Sequence, residues 1–233
     1  KQHLPVVVGG IHITCLPKTL TKNMDVGVLG EGEITFLKLV RLFQQTGRLA
    51  SPDLAKIPGL AFWQKEKIVL TPPAPLIKNL STLPFSDREI LDIQPHTYIF
   101  TSRGCPYRCS FCASSRFWQT LRFFSAEYVA SEIEELVNKY QVRFISFYDD
   151  LFIADLGRVE KLLALLERKN LVGQVKFSCS ARAELISTKS ARLLAKMGIK
   201  SVGMGLESGS DEVLKFLKGQ SASVAQNQQA IKT

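Results

Sequence analysis

The sequence lacks an apolar run long enough to cross a membrane. Its longest mainly apolar stretch, residues 4–16, is interrupted by Pro5, His12 and two glycines, whereas a membrane-spanning helix needs about 20 consecutive apolar residues. A basic segment followed by an apolar one, the mark of an export signal, is also missing. We therefore expect a cytoplasmic protein that has no membrane partner.

Dense clusters of positive charge are lacking, although the net charge is +9. The most concentrated basic segment is Lys65-Glu66-Lys67, and no basic stripe alternates with aromatic residues. A protein that binds nucleic acid usually carries such a stripe or patch. The charge therefore favours a solvated basic surface, and a nucleic-acid partner is not expected.

Cysteine is scarce, with five residues in a chain of 233. An odd number of cysteines does not suit a disulfide framework, and Cys105, Cys109 and Cys112 crowd into one short segment. In a cytoplasmic protein, such clustering indicates a metal site.

The beginning of the sequence predicts an incomplete α/β domain, to which we assign residues 1–46. Residues 5–8 and 26–29 are short apolar strands that are each followed by glycines, and residues 33–45 carry apolar side chains at helical spacing. Short strands followed by helices indicate a parallel α/β unit. Two strands make only part of such a sheet.

Residues 47–95 differ in composition from the segments on either side. They contain most of the prolines and a predicted hairpin, in which residues 60–63 pair with residues 68–71. Proline and turn residues punctuate secondary structure. We therefore expect a linker that runs over the surface.

Strands and helices alternate regularly in residues 96–233, which we assign to a partial (βα) barrel of four units. The predicted elements are the strands 98–101, 143–148, 175–179 and 201–206 and the helices 126–140, 156–169, 188–197 and one that begins near residue 210. In (βα) barrels the chemical groups lie at the carboxyl ends of the strands. Here these ends carry three cysteines, two aspartates, an arginine and a glutamate.

The spacing of the three cysteines suits an iron–sulfur cluster. Three thiolates around a four-iron cubane leave one iron without a protein ligand, and a substrate or cofactor can bind that iron. A structural zinc site needs a fourth ligand, and the nearby His96 precedes the strand, so it is expected at the other end. We therefore predict that Cys105, Cys109 and Cys112 hold a [4Fe-4S] cluster.

Residues 105–112, Cys-Pro-Tyr-Arg-Cys-Ser-Phe-Cys, follow a predicted strand and resemble the signature of the radical S-adenosylmethionine (radical SAM) superfamily. The resemblance implies that SAM binds the open iron and that one electron from the reduced cluster cleaves SAM to a 5′-deoxyadenosyl radical. It also implies that Phe111 packs near the adenine. An external electron donor, such as a flavodoxin or ferredoxin, would reduce the cluster.

The other strand ends agree with the resemblance. Asp150, in the pair Asp149-Asp150, stands where the superfamily places its motif for the amino group of SAM, and Arg182 could pair with the SAM carboxylate. The fourth strand end, Gly203-Met204-Gly205-Leu206-Glu207-Ser208-Gly209, resembles the ribose-binding motif, which implies that Glu207 holds the ribose hydroxyls and that Ser208 also contacts SAM. Helix caps and surface salt bridges are the alternatives for these residues.

The first domain resembles the second half of the cobalamin-binding domain that precedes many radical SAM domains. The matching residues, which the resemblance implies contact cobalamin, are Gly9, Gly10, Gly30, Glu31 and Gly32. The Asp-x-His-x-x-Gly segment that supplies the cobalt ligand is missing, and neither His3 nor His12 matches it. The chain also begins without methionine and has four of the six βα units of the family barrel, so we expect a piece of a longer protein.

Three functions are compatible with these features. The first is a cobalamin-dependent radical SAM enzyme, a methyltransferase or a ring-forming cyclase, acting on a small molecule. The second is a radical SAM methylthiotransferase acting on RNA. That family holds a second cluster with further cysteines upstream of the motif, and Cys15 is the only such cysteine in this sequence. The third is a non-catalytic domain that binds an iron–sulfur cluster or zinc.

Overall fold

A computed structural model describes residues 4–118 and 120–233 of the chain, without the side chains of residues 115 and 116. The first three residues of the predicted first domain, including His3, lie outside the described residues. The chain forms two units, Lys1–Lys78 and Asn79–Thr233.

The first unit is an α/β unit in which a hairpin follows the helices. Its elements are β1 (Val7–Val8), α1 (Ile11–Cys15), a 3₁₀ turn (Pro17–Thr19), β2 (Val26–Val28), α2 (Gly32–Thr46), α3 (Ser51–Leu54), β3 (Leu60–Gln64) and β4 (Lys67–Leu70). The two predicted strands and the predicted helix of the first domain correspond to β1, β2 and α2.

The hairpin β3–β4 is part of the first unit's sheet, whose order is β1-β2-β3-β4. Strand β1 is parallel to β2, while β3 pairs antiparallel with both β2 and β4. Leu60, Ala61 and Phe62 are fully buried in this unit. The expectation of a surface linker thus needs correction for this segment, because Leu60 and Phe62 complete the core around Val26 and Leu39.

The second unit contains the alternating strands and helices. Its strands are β5 (His96–Ile99), β6 (Ser102–Arg103), β7 (Arg122–Phe123), β8 (Phe144–Phe147), β9 (Lys176–Ala181) and β10 (Ile199–Met204). Its helices are α4 (Ser114–Phe117), α5 (Ala126–Asn138), α6 (Leu156–Arg168), α7 (Thr188–Met197), α8 (Asp211–Lys218) and α9 (Val224–Lys232), with 3₁₀ turns at Leu80–Thr82, Phe152–Ala154 and Ala183–Leu185.

The main sheet of this unit is entirely parallel, in the order β10-β9-β8-β5. The predicted fold class, an α/β fold with a partial parallel barrel, is confirmed. Because parallel strands point the same way, their carboxyl ends share one edge of the sheet. Among the described residues β10 has a hydrogen-bonded neighbour on one side only, β9.

Local sequence signals set the helix ends of this unit. The Ser125 hydroxyl accepts a hydrogen bond from the amide of Tyr128 and caps α5. Helix α7 ends at Gly198, whose φ of 95° is the left-handed conformation that glycine adopts readily.

The two faces of the parallel sheet differ in chemistry. Ile145 and Phe147 are buried, whereas the alternate residues form a polar row: His96 Nε2 lies 2.9 Å from Ser146 Oγ, which lies 2.7 Å from Ser178 Oγ. This alternation has the period of two that strands impose. No helix in the described ranges is long and apolar enough to span a bilayer.

Candidate functional site

The three clustered cysteines lie on a loop between two short paired strands. Strand β6 pairs with β7 in an antiparallel ribbon, and the loop between them carries Cys105, Cys109 and Cys112, each partly buried. The amide of Cys112 donates to the carbonyl of Cys109 at 3.1 Å, so the chain turns between these two residues. No helix runs through residues 105–112.

Helix α8 anchors this loop from a distant part of the sequence. The amide of Ser110 donates to the carbonyl oxygen of Leu217 at 2.8 Å. Leu217 lies in the last turn of α8, where carbonyl groups have no partner within the helix. The loop therefore satisfies a backbone acceptor and is held in place by it.

Gly104 opens the loop in a conformation that only glycine adopts freely, with φ of 96°. A Cβ atom at this position would lie 2.6 Å from the carbonyl oxygen of Thr120 and 3.0 Å from Cβ of Trp118. Gly104 therefore permits a close approach of two backbone segments.

We expect Gly104→Ala to destabilise the second unit more than Gly173→Ala does. Gly173 also has a positive φ, 88°, but a Cβ there meets no atom within 4 Å. Both variants incur the cost of a left-handed L-residue, about 1–2 kcal/mol, and only the first must also displace the Thr120 backbone. Urea denaturation followed by circular dichroism measures the difference, and equal losses would contradict the steric argument.

Asp149 joins the ends of two neighbouring strands from a buried position. Its carboxylate accepts hydrogen bonds from the amide and hydroxyl of Thr101 and from the amide of Ser102, and its side chain is fully buried beside Arg158, 3.9 Å away. Burial raises the pKa of Asp149, while the Thr101 hydrogen bonds and the Arg158 charge act in the opposite direction. Asp149 therefore supports the strand ends below the cysteine loop.

Asp150, by contrast, is exposed and contacts the segment that follows the cysteines. Its Oδ2 accepts a short hydrogen bond from the hydroxyl of Ser114, at the start of α4. Its charge also acts on Cys105, whose pKa is raised mainly by burial. Asp150 therefore lies beside the cysteine loop and the segment that follows it.

Arg182, which follows β9, is buried with 7% of its surface exposed. Its Nη1 donates to Sγ of Cys109 at 3.0 Å, and its guanidinium stacks over the ring of Tyr107, with Cζ 3.8 Å from the centroid. Nε donates to Oε1 of Glu184 at 3.1 Å, and Nη2 donates to the same oxygen and to the carbonyl of Lys218. The structure thus gives Arg182 partners within the chain where the resemblance implied the SAM carboxylate.

Glu184 and Lys218 complete a buried charged group around Arg182. Burial acts to raise the pKa of Glu184, but the hydrogen bonds from Arg182 outweigh it, so the pKa lies below its usual range and the carboxylate is ionised at neutral pH. Lys218 is 6% exposed, and its Nζ donates to the carbonyl of Gly205 at 2.6 Å. These contacts connect the cysteine loop to the end of the fourth strand.

Glu207 is exposed after β10 and has a left-handed backbone, with φ of 63°. Its carboxylate folds over Gly205, where a Cβ atom would collide with it. The hydroxyl of the adjacent Ser208 accepts from the amide of Ser210 at 3.0 Å. Glu207 therefore presents an accessible carboxylate at the carboxyl edge of the sheet, whereas the Ser208 hydroxyl already caps the following turn.

Phe111 lies on the cysteine loop with 57% of its surface exposed. A large apolar side chain at this exposure buries little surface within the described part of the second unit. Its ring is therefore available to pack against a planar ligand.

The two glycine turns of the first unit, at Gly10 and Gly30, are connected by hydrogen bonds to one threonine. Thr14 donates its hydroxyl to the carbonyl of Gly10 at 2.8 Å and accepts from the amide of Gly30 at 2.9 Å. Gly10 and Gly30 have positive φ, and a Cβ on either would meet open space. Their backbones are therefore accessible to a ligand, as is that of Gly9, where a Cβ would make only ordinary contacts.

Glu31 and Gly32 differ from these glycines. The Glu31 carboxylate is buried and accepts from the amide of Ile77 at 2.6 Å, so it holds the end of the first unit. Gly32 is the first residue of α2. Of the five residues that the resemblance assigned to cobalamin, Glu31 thus has a structural partner that the sequence did not indicate.

The described residues contain no group of three His, Cys, Asp or Glu side chains placed to hold a single metal ion. A cubane cluster is different, because each cysteine binds a separate iron atom. The donor set of three thiols on one loop suits such a cluster, and their binding to iron requires the thiolate form.

Sequence reasoning missed four residues of the site: Tyr107, Ser114, Glu184 and Lys218. Tyr107 and Ser114 lie within or next to the cysteine motif, so their proximity was a usable signal. Glu184 and Lys218 reach the site through contacts between distant parts of the chain, for which the sequence gives no local signal.

The family described as the Radical SAM superfamily matches residues 99–233, which include the cysteine loop and all four strand ends. The chain belongs to the radical SAM superfamily. The recognition made from the cysteine motif is confirmed.

Two curated relatives of this radical SAM chain are enzymes by name. An uncharacterized methyltransferase of Pyrococcus horikoshii is 32% identical over 100% of this chain and 51% of its own length. The anaerobic magnesium-protoporphyrin IX monomethyl ester cyclase of Cereibacter sphaeroides is 27% identical over 97% of this chain and 39% of its own length. The chain thus spans about half the length, or less, of these radical SAM relatives.

A solved structure has the same fold. The radical SAM methyltransferase TsrM from Kitasatospora setae, solved with cobalamin and a [4Fe-4S] cluster bound, superposes with a TM-score of 0.76. The match covers 98% of this chain and 47% of TsrM at 20% sequence identity. It therefore extends over both units of this radical SAM chain.

Proposed function

We propose that this chain is the cluster-binding and SAM-binding part of a cobalamin-dependent radical SAM enzyme, a methyltransferase or a cyclase that acts on a small molecule. The observation that carries the proposal is the loop of Cys105, Cys109 and Cys112, held at the edge of the sheet where Asp150 and Glu207 also lie. Family membership supports it over a non-catalytic domain, and the two named relatives, a methyltransferase and a cyclase, support it over an RNA methylthiotransferase.

The three cysteine thiolates would hold the cluster, which supplies reductive cleavage of bound SAM. Asp150 would accept hydrogen bonds from the SAM amino group, since a carboxylate suits an ammonium-like donor. Glu207, exposed beside Gly205, would accept from the ribose hydroxyls. Phe111 would cover the adenine and exclude water on that side.

Cobalamin would contact the accessible backbones of Gly9, Gly10 and Gly30, with Gly32 at the start of α2. Glu31 would not contact cobalamin through its carboxylate, which accepts a hydrogen bond from the amide of Ile77, and would instead stabilise the neighbouring glycine turn. When bound, cobalamin supplies methyl transfer through cobalt. Thr14, which hydrogen-bonds to both glycine turns, would keep them at a fixed separation.

An external one-electron donor is part of the proposal, because each reductive cleavage of SAM would take one electron from the cluster, which must then be reduced again. A flavodoxin or ferredoxin has the required chemistry. The substrate would be a small molecule, which the name of the Cereibacter sphaeroides cyclase supports.

The proposal is tested by reconstituting the chain with iron and sulfide without oxygen, then adding SAM and dithionite. We expect 5′-deoxyadenosine to form, as measured by chromatography, and to be absent when dithionite is omitted. A chain that holds a full cluster but forms no 5′-deoxyadenosine would be a binding module and would overturn the enzyme proposal.

We expect Glu207→Ala to weaken SAM binding and to leave the iron content unchanged. The carboxylate would lose its hydrogen bonds to the ribose, and hydrogen bonds to charged groups contribute about 1.5–3 kcal/mol, so the dissociation constant should rise at least tenfold. Calorimetry of SAM binding to the reconstituted chain measures this. Glu212→Ala, which removes an exposed carboxylate from the first turn of α8, is the matched control, and equal affinities of the two variants would rule out the ribose role.

A further inference from the structure

The contact between Arg182 and Cys109 has a direct consequence for the cluster. Arg182 is buried, and its Nη1 lies 3.0 Å from the sulfur of Cys109, 73 residues away in the sequence. A guanidinium has five N–H donors, and four hydrogen bonds from this one go to acceptors of the same chain. The group is therefore fixed, and it points one donor at a cysteine sulfur.

The surroundings keep this guanidinium in place from several sides. Glu184 binds it through Oε1, the carbonyl of Lys218 accepts from Nη2, and the ring of Tyr107 covers its face. Lys218 is itself held by Gly205. With one negative and two positive side chains, the buried group carries a net positive charge next to Cys109.

We propose that Arg182 is a positioning residue that raises the reduction potential of the cluster through the Cys109 sulfur, without touching SAM. The inference rests on the proposed function, because Cys109 must be a cluster ligand. Hydrogen bonds to the sulfurs and nearby charge set the potentials of iron–sulfur clusters. An uptake of one electron makes the cluster more negative, and a nearby positive donor stabilises the more negative state more strongly.

Arg182→Gln removes the charge and the guanidinium fork while it keeps a polar side chain. We expect its cluster to be at least tenfold harder to reduce, which for a one-electron couple is a shift of about 59 mV to more negative potential. Arg182→Lys keeps the charge without the fork, so its potential should lie between those of Arg182→Gln and the wild type.

Arg108→Gln is the matched control, because Arg108 precedes Cys109 directly but is exposed. Solvent and salt screen an exposed charge, so the reduction potential of the cluster in Arg108→Gln should equal that in the wild type. Potentials are measured by titrating the reconstituted chains with dithionite in the presence of redox mediators, with the reduced cluster followed by electron paramagnetic resonance.

The outcomes separate this inference from the proposed function. A wild-type chain that does not assemble a cluster would overturn the proposed function. Fully loaded variants of Arg182 with the wild-type potential would overturn only the inference, as would an equal shift in Arg108→Gln. If Arg182→Gln does not retain iron, the reduction potential of Arg182→Lys tests the inference instead. A potential of Arg182→Lys equal to that of the wild type would then reject it.

Discussion

Replacement of Cys105, Cys109 or Cys112 by alanine is expected to abolish the cluster. The wild-type chain should bind about four irons after anaerobic reconstitution, and each variant should lose nearly all of them. Two thiolates cannot hold a cubane that already has one iron without a protein ligand. Iron and sulfide analysis, together with the visible absorbance of the cluster, measures the loss.

The remaining cysteines provide the controls for this experiment. Cys15 is exposed in the first unit, and Cys179 is buried on β9. Burial raises the pKa of Cys179 to about 12, so it stays a thiol at neutral pH. Both Cys15→Ala and Cys179→Ala should bind as much iron as the wild type. A full iron content in any variant of the loop, or a loss in both controls, would refute the assignment of the ligands.

Asp149→Ala is expected to cost about 3–5 kcal/mol of the free energy of unfolding, as removal of one partner from a buried ion pair does. The variant leaves Arg158 buried without its carboxylate and also removes the acceptor of Thr101 and Ser102. In a Trp63→Phe background, Trp118 is the remaining tryptophan. Its fluorescence during urea denaturation reports on the second unit.

Asp150→Ala is the matched control for this prediction. It removes the neighbouring carboxylate, which is exposed, and exposed substitutions usually change stability by no more than about 0.5 kcal/mol. Asp149→Ala should therefore lower the free energy of unfolding, whereas Asp150→Ala should weaken SAM binding and leave the stability nearly unchanged. Equal stabilities would show that Asp149 has no supporting role.

The alternation of residues along strand β8 distinguishes the buried Asp149 from the exposed Asp150. From Ile145 to Asp150, buried and less buried residues alternate, so Asp149 continues the row of Ile145 and Phe147. The period of two is a property of the strand backbone. Extending it beyond the last apolar residue would have assigned Asp149 to the interior and Asp150 to the site.

The architecture of the second unit was predictable for the same kind of reason. Each strand and helix has its own apolar pattern, and parallel strands bring their ends together without further information. The contact of Arg182 with Cys109 could not be predicted, because it depends on how the cysteine loop packs against the end of β9. The burial of the hairpin β3–β4 could not be predicted, because the prolines on both sides of it are typical of a surface linker. The sequence gives no local sign that Leu60 and Phe62 pack into a core.

The partial burial of the three loop cysteines creates a competition during synthesis of the protein. Partly exposed cysteines that hold no metal can also be oxidised by peroxide to sulfenic acid and, with excess oxidant, irreversibly to sulfinic acid. We therefore expect the three cysteines to react with iron or with an oxidant, whichever reaches them first. The fraction of chains that can assemble a cluster should then fall when the protein is purified in the presence of peroxide.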